Sequence, residues 1–544
     1  MSHAIEVSPR PTTSSESVDD IPLLMAHIQR LGIQRLIDAH FPSVTGGLSL
    51  GWVAVLWLAH ILSQSGRQMP HLRTWIACHP ETLHWLINQP VRQNDASDGR
   101  LRDVLRALDD DANWSIFEAS LNQQILRLHR LRPERIRLSH SVGLWYITSD
   151  GTLQFDQSRR WWPGALQVQI TLASLDPIGL PATVWMEPSH GSNEPLLNAI
   201  LQTRIALPGR PILFIGNGEF SPAHIRAAIH QGSDTYLYLL PPAETLIELQ
   251  HIVGDTLPTS ASANAYERSQ LMCVEQDGHM IEWTERRLLV RSHRQSHDQE
   301  TELMGRIVRA QRELLSLNER KRGKRRPQTM AAMREAVDGI LAEYGVTGLI
   351  KPSFDEVVDE RSVRRYRGRP TTIRVARLVT VSSSVDEAEL VATRERLGWQ
   401  VYATTLSAEP LPLDQAVRGH SEPEQAFERM RGRPLSLLPG VIQRSDHIRG
   451  LVRFLTIGLR CMVLLDTTAR AHVSDLPNSF WQRPGSGVQQ GIPTGERLLE
   501  AFRDITLTSF SDGHEQHYHL TALSTVQRRV LEILALSPTT YQVE

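Results

Sequence analysis

Sulfur is scarce in this chain. Its 3 cysteines, Cys78, Cys273 and Cys461, lie far apart in sequence. They offer neither a zinc-type spacing nor a disulfide framework, which fits a reducing cytosol. An excess of charge of one sign is also missing: 58 Lys and Arg against 60 Asp and Glu leave a net charge of −2. A nucleic-acid partner would find no global basic field here, only local patches. Long uncharged apolar runs are absent too. Residues 48–63 (LSLGWVAVLWLAHILS) are short and hold His60, and residues 451–466 hold Arg453 and Arg460. A membrane-spanning helix needs about 20 apolar residues, so buried helices are expected at both places and no membrane partner. No charged segment followed by an apolar one opens the chain, so no secretion signal is expected. No phosphate-cradling glycine loop is present, which argues against nucleotide hydrolysis.

What is there is enough for several domains with real cores: 544 residues, 41% apolar and 22% charged. Residues 1–20 are polar, acidic and rich in Ser, Thr and Pro, which predicts a disordered tail. Over 21–132 apolar positions such as Leu23, Leu24, Ile28 and Leu31 recur at three- and four-residue steps, predicting an all-helical N-terminal domain. The period changes after Pro133. Runs rich in Val, Ile and Thr predict strands at 136–138, 144–148, 166–175, 182–187 and 212–215. The segment LDPIGLP (175–181) is an Asp-Pro and Gly turn that joins two of them in a hairpin. Helices are expected at 196–207 and 224–231, then a strand at 235–240. A strand meander followed by strand–helix–strand units predicts an α/β domain with a mixed sheet over 133–242.

Residues 243–372 differ. They hold strand signals, a charged helix predicted at 299–318, and two basic segments, RKRGKRR (320–326) and RSVRRYRGRP (361–370). The α/β pattern resumes over 373–473, with a strand at 375–381, a helix at 386–397, a strand at 399–405 and helical signals over 414–470. Residues 474–544 read as a C-terminal extension, helical at 524–536. Two strand ends stand out. RIRLSHSV (135–142) carries Ser139 where its apolar run stops, and ILFIGNGEF (212–220) carries Asn217 in the same way.

Several blocks together resemble bacterial insertion-sequence transposases of the DDE superfamily, in the IS-four group and its sixteen-thirty-four branch. They are IPLLMAHIQRLGIQRLIDAHFP, GLSLGWVAVLWLAHILS, FDQSRRWWPGALQVQITLASLDPIGLPATV, LFIGNGEFSPAHIRAAIHQGSDTYLYLLP and FERMRGRPLSLLPGVIQRSDHIRGLVRFLTIGLRCMVLL. The resemblance covers residues 21–473. It implies an RNase H-like mixed sheet flanked by helices, with an all-helical N-terminal domain that meets DNA ends. A basic insertion would lie before the last core helix. Residues 133–242 and 373–473 would be the two parts of that core, and 243–372 the insertion. The implied activity is DNA phosphoryl transfer. The implied partners are double-stranded DNA, with its terminal inverted repeats, and a second copy as a homodimer. The implied setting is a bacterial cytoplasm, associated with the nucleoid.

In such proteins two Asp and one Glu hold two divalent ions, and Mg²⁺ suits this oxygen-ligand chemistry. Carried over residue by residue, the first Asp falls on Ser139, the second on Asn217, and the Glu on Glu424. Two of the three acids are therefore replaced. Ser and Asn are neutral oxygen donors and do not offset the cost of dehydrating Mg²⁺, so strand cleavage is expected to be impaired or lost. A non-catalytic DNA-binding protein derived from a transposase is the alternative. Glu424 also fits a capping box, since Ser421 precedes it by three residues with Pro423 between. Asp150, Asp156, Glu187, Glu194 and Glu219 are the nearby acids that might be asked to substitute, although acids at strand ends and in loops are mostly solvated. DNA contact is expected at Lys321, Arg322, Lys324, Arg325, Arg326, Arg364, Arg365 and Arg367, through counterion release, with Tyr366 available for stacking. Arg431 and Arg433 match the family's basic position near the scissile phosphate. Trp161 and Trp162 suit either packing on the sheet or stacking on a flipped base.

Overall fold

The computed structural model describes residues 12–42, 46–63, 71–140, 144–147, 153–156, 166–188, 194–218, 221–254, 265–276, 278–319, 327, 329–363, 372–409, 429, 448–481, 493–511 and 516–543. The chain divides into two compact units. The first is Met1–Tyr238 with Met272–Trp283 and Thr404–Glu544, and the second is Leu239–Leu271 with Thr284–Ala403.

The first unit opens with strand β1, Thr12–Ser17, which pairs antiparallel with Thr506–Ser511. That differs from the disordered tail expected for residues 1–20. It also puts a strand pair, Thr506–Ser511 with Gln516–Leu520, into an extension expected to be helical. The reason is tertiary. Glu16 is buried, and its carboxylate accepts the amides of Glu81 and Thr82 at 2.9 Å and the Thr82 hydroxyl at 2.6 Å. The polar strand is fixed by partners far away in sequence.

Helices follow at Ile21–Arg30, Ile33–His40, Leu50–Leu62, Asp98–Asp109 and Asp111–His129. Ser49 starts the Leu50–Leu62 helix by accepting the Trp52 amide. That helix is apolar nearly all round and is buried accordingly. Its Trp57 stacks on Phe454, with ring centroids 4.4 Å apart. Phe454 belongs to the Ile448–Ala471 helix, which is buried along most of its length. Among the described residues no helix is long and apolar enough to cross a membrane.

The sheet of this unit is built from β2 (Arg135–His140), β3 (Leu144–Ile147), β4 (Leu153–Asp156), β5 (Leu166–Leu175), β6 (Leu180–Pro188), β7 (Leu213–Gly216) and β8 (Thr235–Leu239). β5 runs antiparallel to β6 on one side and to β2 on the other. β2, β7 and β8 are mutually parallel. Across the sheet the order is therefore β6–β5–β2–β7–β8. β3 continues along β5 and carries β4 on its far side. The Glu194–Ala206 and Ala223–Gln231 helices make the β6–β7 and β7–β8 connections. The β5–β6 turn uses Gly179 at φ 70°, a conformation that favours glycine. The result is an α/β unit with a mixed sheet flanked by helices, compatible with an RNase H-like fold.

Further strands are β9 (Ala265–Gln276) and β10 (His279–Arg291). The second unit has its own core. The His293–Ser316, Met330–Glu343 and Glu387–Arg396 helices pack through Leu303, Ile307, Leu314, Val337 and Leu390. β11 (Ile350–Val363) and β12 (Thr372–Val385) join that core at their base, through Ile350, Val379 and Val381. Thr329 and Asp386 cap the second and third of these helices through their side-chain oxygens.

Candidate strand-end site

Two of the sequence-derived positions are brought side by side. β2 and β7 pair in parallel with Arg135 beside Leu213, Ile136 beside Phe214 and Arg137 beside Ile215. Two residues further along the same register, Ser139 comes level with Asn217. Residues two apart in a strand share a face, so Ser139 lies on the face of Arg137 and Asn217 follows on that of Ile215. Neighbouring strands are about 4.8 Å apart. Ser139 is buried and pairs with Leu172 on its other side. Asn217 sits just past the end of β7, half-buried. His140 alternates to the opposite face and lies beside Thr171, so Ser139 and His140 are not a nucleophile–base pair.

The loop after Asn217 turns sharply into the next helix. The Ser221 hydroxyl donates to the Gly218 carbonyl at 2.7 Å, and the Ala223–Gln231 helix starts two residues later. Burial lowers the pKa of His224 in its first turn, which favours the uncharged imidazole there. At the other end of β2, Arg135 and Arg137 hold the Asp176 carboxylate at 2.6 and 2.8 Å. That acid is already neutralised by two guanidinium groups.

The donor chemistry at Ser139 and Asn217 does not fit a Mg²⁺ pair. A hydroxyl and an amide carry no charge, and hard divalent cations are held by carboxylates that offset dehydration. Among the described residues no group of three or more His, Cys, Asp or Glu has a metal-holding arrangement. Asp156 closes β4, and Glu187 lies in β6 opposite Gln169. Glu194 opens the helix after β6.

A buried charge network braces the sheet from below, and the sequence gave only half of it. Arg460, fully buried, donates to the Glu118 carboxylate at 2.7 Å and to the Pro181 and Ala182 carbonyls at 3.0 and 2.8 Å. Asn122 donates to the same Ala182 carbonyl at 2.7 Å. The start of β6 is thus clamped between two helices. Burial raises the pKa of Glu118, opposed by the charge of Arg460. Arg453 donates to the Leu108 carbonyl at 2.8 Å and pairs with Asp111. Desolvation opposes the ionised form of Asp111, but hydrogen bonds from Arg453 and Arg449 win and hold its pKa below the usual value. Arg429 reaches Asp466 at 2.6 Å and Glu496 at 3.1 Å. Arg429 lies five residues after Glu424 in sequence, so the segment carrying Glu424 has an anchor on this same helix. The cue in the sequence was two arginines inside an apolar run; their partners left no local signal.

Glu424, Lys321, Arg322, Lys324, Arg325, Arg326, Arg364, Arg365, Arg367, Arg431 and Arg433 lie outside the described residues, as do Trp161, Trp162, Asp150 and Glu219. The elements beside them are described: the His293–Ser316 and Met330–Glu343 helices bracket the first basic segment, and β11 and β12 bracket the second.

No protein-family model matches the chain, and no curated protein matches it. Among solved structures, a cryo-EM structure of a piggyBac transposase synaptic complex with hairpin DNA aligns with a TM-score of 0.24 and 11% sequence identity. The alignment covers 48% of this chain and 60% of that one.

Proposed function

We propose that this chain is a transposase-family protein of the insertion-sequence DDE type, which binds double-stranded DNA at transposon ends and whose metal-dependent strand cleavage is impaired or lost. One observation carries the reading. Ser139 and Asn217, the positions where the sequence resemblance expects the two aspartates, fall on neighbouring parallel strands at the same level of the sheet. They are 78 residues apart in sequence (217 minus 139), so the register had many ways to separate them. The strand order β6–β5–β2–β7–β8, with three antiparallel strands followed by two parallel ones, supports an RNase H-like core for the same reason.

The neutral side chains at both positions favour a form of the protein that holds DNA without cutting it. What remains for such a chain is recognition: basic segments bind phosphates, and the helical N-terminal region supplies a rigid platform. A homodimer on paired inverted repeats and any Mg²⁺ at Glu424 belong to this proposal. The test uses the purified full-length protein and a duplex carrying the repeats that flank its gene, with Mg²⁺ or Mn²⁺ present. Retarded DNA without strand breaks is the expected result. Robust metal-dependent cleavage by the unaltered protein would contradict the impairment. Failure to retard any duplex at low salt would contradict DNA binding altogether.

A further inference from the structure

We propose that the β11–β12 ribbon is an arm that enters the major groove of duplex DNA, with Arg361 and Arg374 at its phosphate-contacting end. The proposal rests on the DNA-binding reading above and names the surface that performs it. Each strand has 14 residues, and they pair throughout, from Ile350 beside Val385 to Val363 beside Thr372. Among the described residues no third strand joins them. Only the base is part of a core: Ile350, Val379 and Val381 are buried, with Phe354 and Val385 packed against them. Cover ends beyond that point. Val357 and Leu378, directly paired, are 56% and 44% exposed, and Val358, on the other face, is 51% exposed. A two-stranded ribbon is marginally stable by itself in water. One that outruns its own core presents both faces to a partner.

Charge selects the partner. The acids of the ribbon, Asp355, Glu356, Asp359 and Glu360, all lie on β11 before Arg361. From Arg361 to Arg377 the sequence holds Arg361, Arg364, Arg365, Arg367, Arg369, Arg374 and Arg377 and no acid. The register places Arg361 directly opposite Arg374. Like charges facing each other across a strand pair are unfavourable, and a phosphate beside both reverses the sign. Shape selects the groove. The major groove, about 12 Å wide, admits a two-stranded ribbon, and the minor groove, about 6 Å wide, does not. The four acids then limit depth, because they repel phosphates before the shaft can enter.

The test compares the full-length protein with an Arg361→Gln/Arg374→Gln variant on a fluorescent duplex across a salt series. The slope of log Kd against log salt should become shallower by about 2 in the variant, close to one unit per lost phosphate contact. Arg361→Lys/Arg374→Lys should restore it, which separates lost charge from lost fold. Netropsin, a minor-groove ligand, should leave the unaltered complex intact. An unchanged slope in the glutamine variant, while the unaltered protein binds, overturns the arm and leaves DNA binding by other surfaces standing. Displacement by netropsin overturns the groove assignment. No binding by the unaltered protein at low salt overturns the arm and the parent reading together.

Discussion

At the scale of single residues, buried charge decides more than surface charge. Replacing Arg460 by Met strands the Glu118 carboxylate in a site without water, and breaking a buried pair in this way costs about 3–5 kcal/mol. Urea unfolding should show that loss for Arg460→Met and a smaller one for the Arg460→Met/Glu118→Leu double variant; equal losses would contradict the pairing. His27 makes a second case. It is buried against the Cys461 carbonyl, with Nε2 at 3.2 Å, and desolvation lowers its pKa to about 4. The unfolded chain takes up a proton near pH 6.5 and the folded one does not until about pH 4. Its contribution is therefore complete above pH 6.5 and lost as pH falls towards 4, by about 3 kcal/mol. The unaltered protein should lose more stability than His27→Gln between pH 7 and 5; parallel profiles would contradict this. Neither partner was legible in advance. Arg460 could be seen as an oddity in an apolar run, but Glu118 is 342 residues away, and no local pattern links them.

Whole elements were far more legible, because strand and helix periods are local. The strand expected at 166–175 and the observed β5 coincide, and the Asp-Pro-Gly turn does join it to β6. The helix expected at 386–397 is found at Glu387–Arg396. The strand Thr12–Ser17 was not legible. Its sequence, TTSSES, has no apolar alternation, and it is held by pairing with Thr506–Ser511 and by Glu16. Glu16 supplies an acceptor to the exposed amides at the start of the Pro80–Ile87 helix, as a capping side chain does. Glu16→Ala should then cost about 2 kcal/mol, read from the urea midpoint, and a change within error would place the strand's stability elsewhere. The candidate site belongs to this scale as well. The sequence showed where two apolar runs stop at small polar residues, but only the β2–β7 register makes Ser139 and Asn217 neighbours.

For the molecule as a whole, the near-zero net charge means that function has to come from where charges sit. The strand ends at Ser139 and Asn217 lack carboxylates, the acids within the first unit are largely committed to arginines, and the uncompensated arginines gather in the segment between β11 and β12. Such a distribution suits a protein that holds DNA while the chemistry at its sheet is switched off. Mn²⁺ binding, followed by the loss of its free-ion electron paramagnetic resonance signal, tests this most directly when the unaltered protein is compared with Ser139→Asp/Asn217→Asp. The account predicts weak binding by the unaltered protein and at least tenfold tighter binding by the double variant, accompanied by Mn²⁺-dependent nicking of duplex DNA. Equal Mn²⁺ affinity in the two proteins would contradict it.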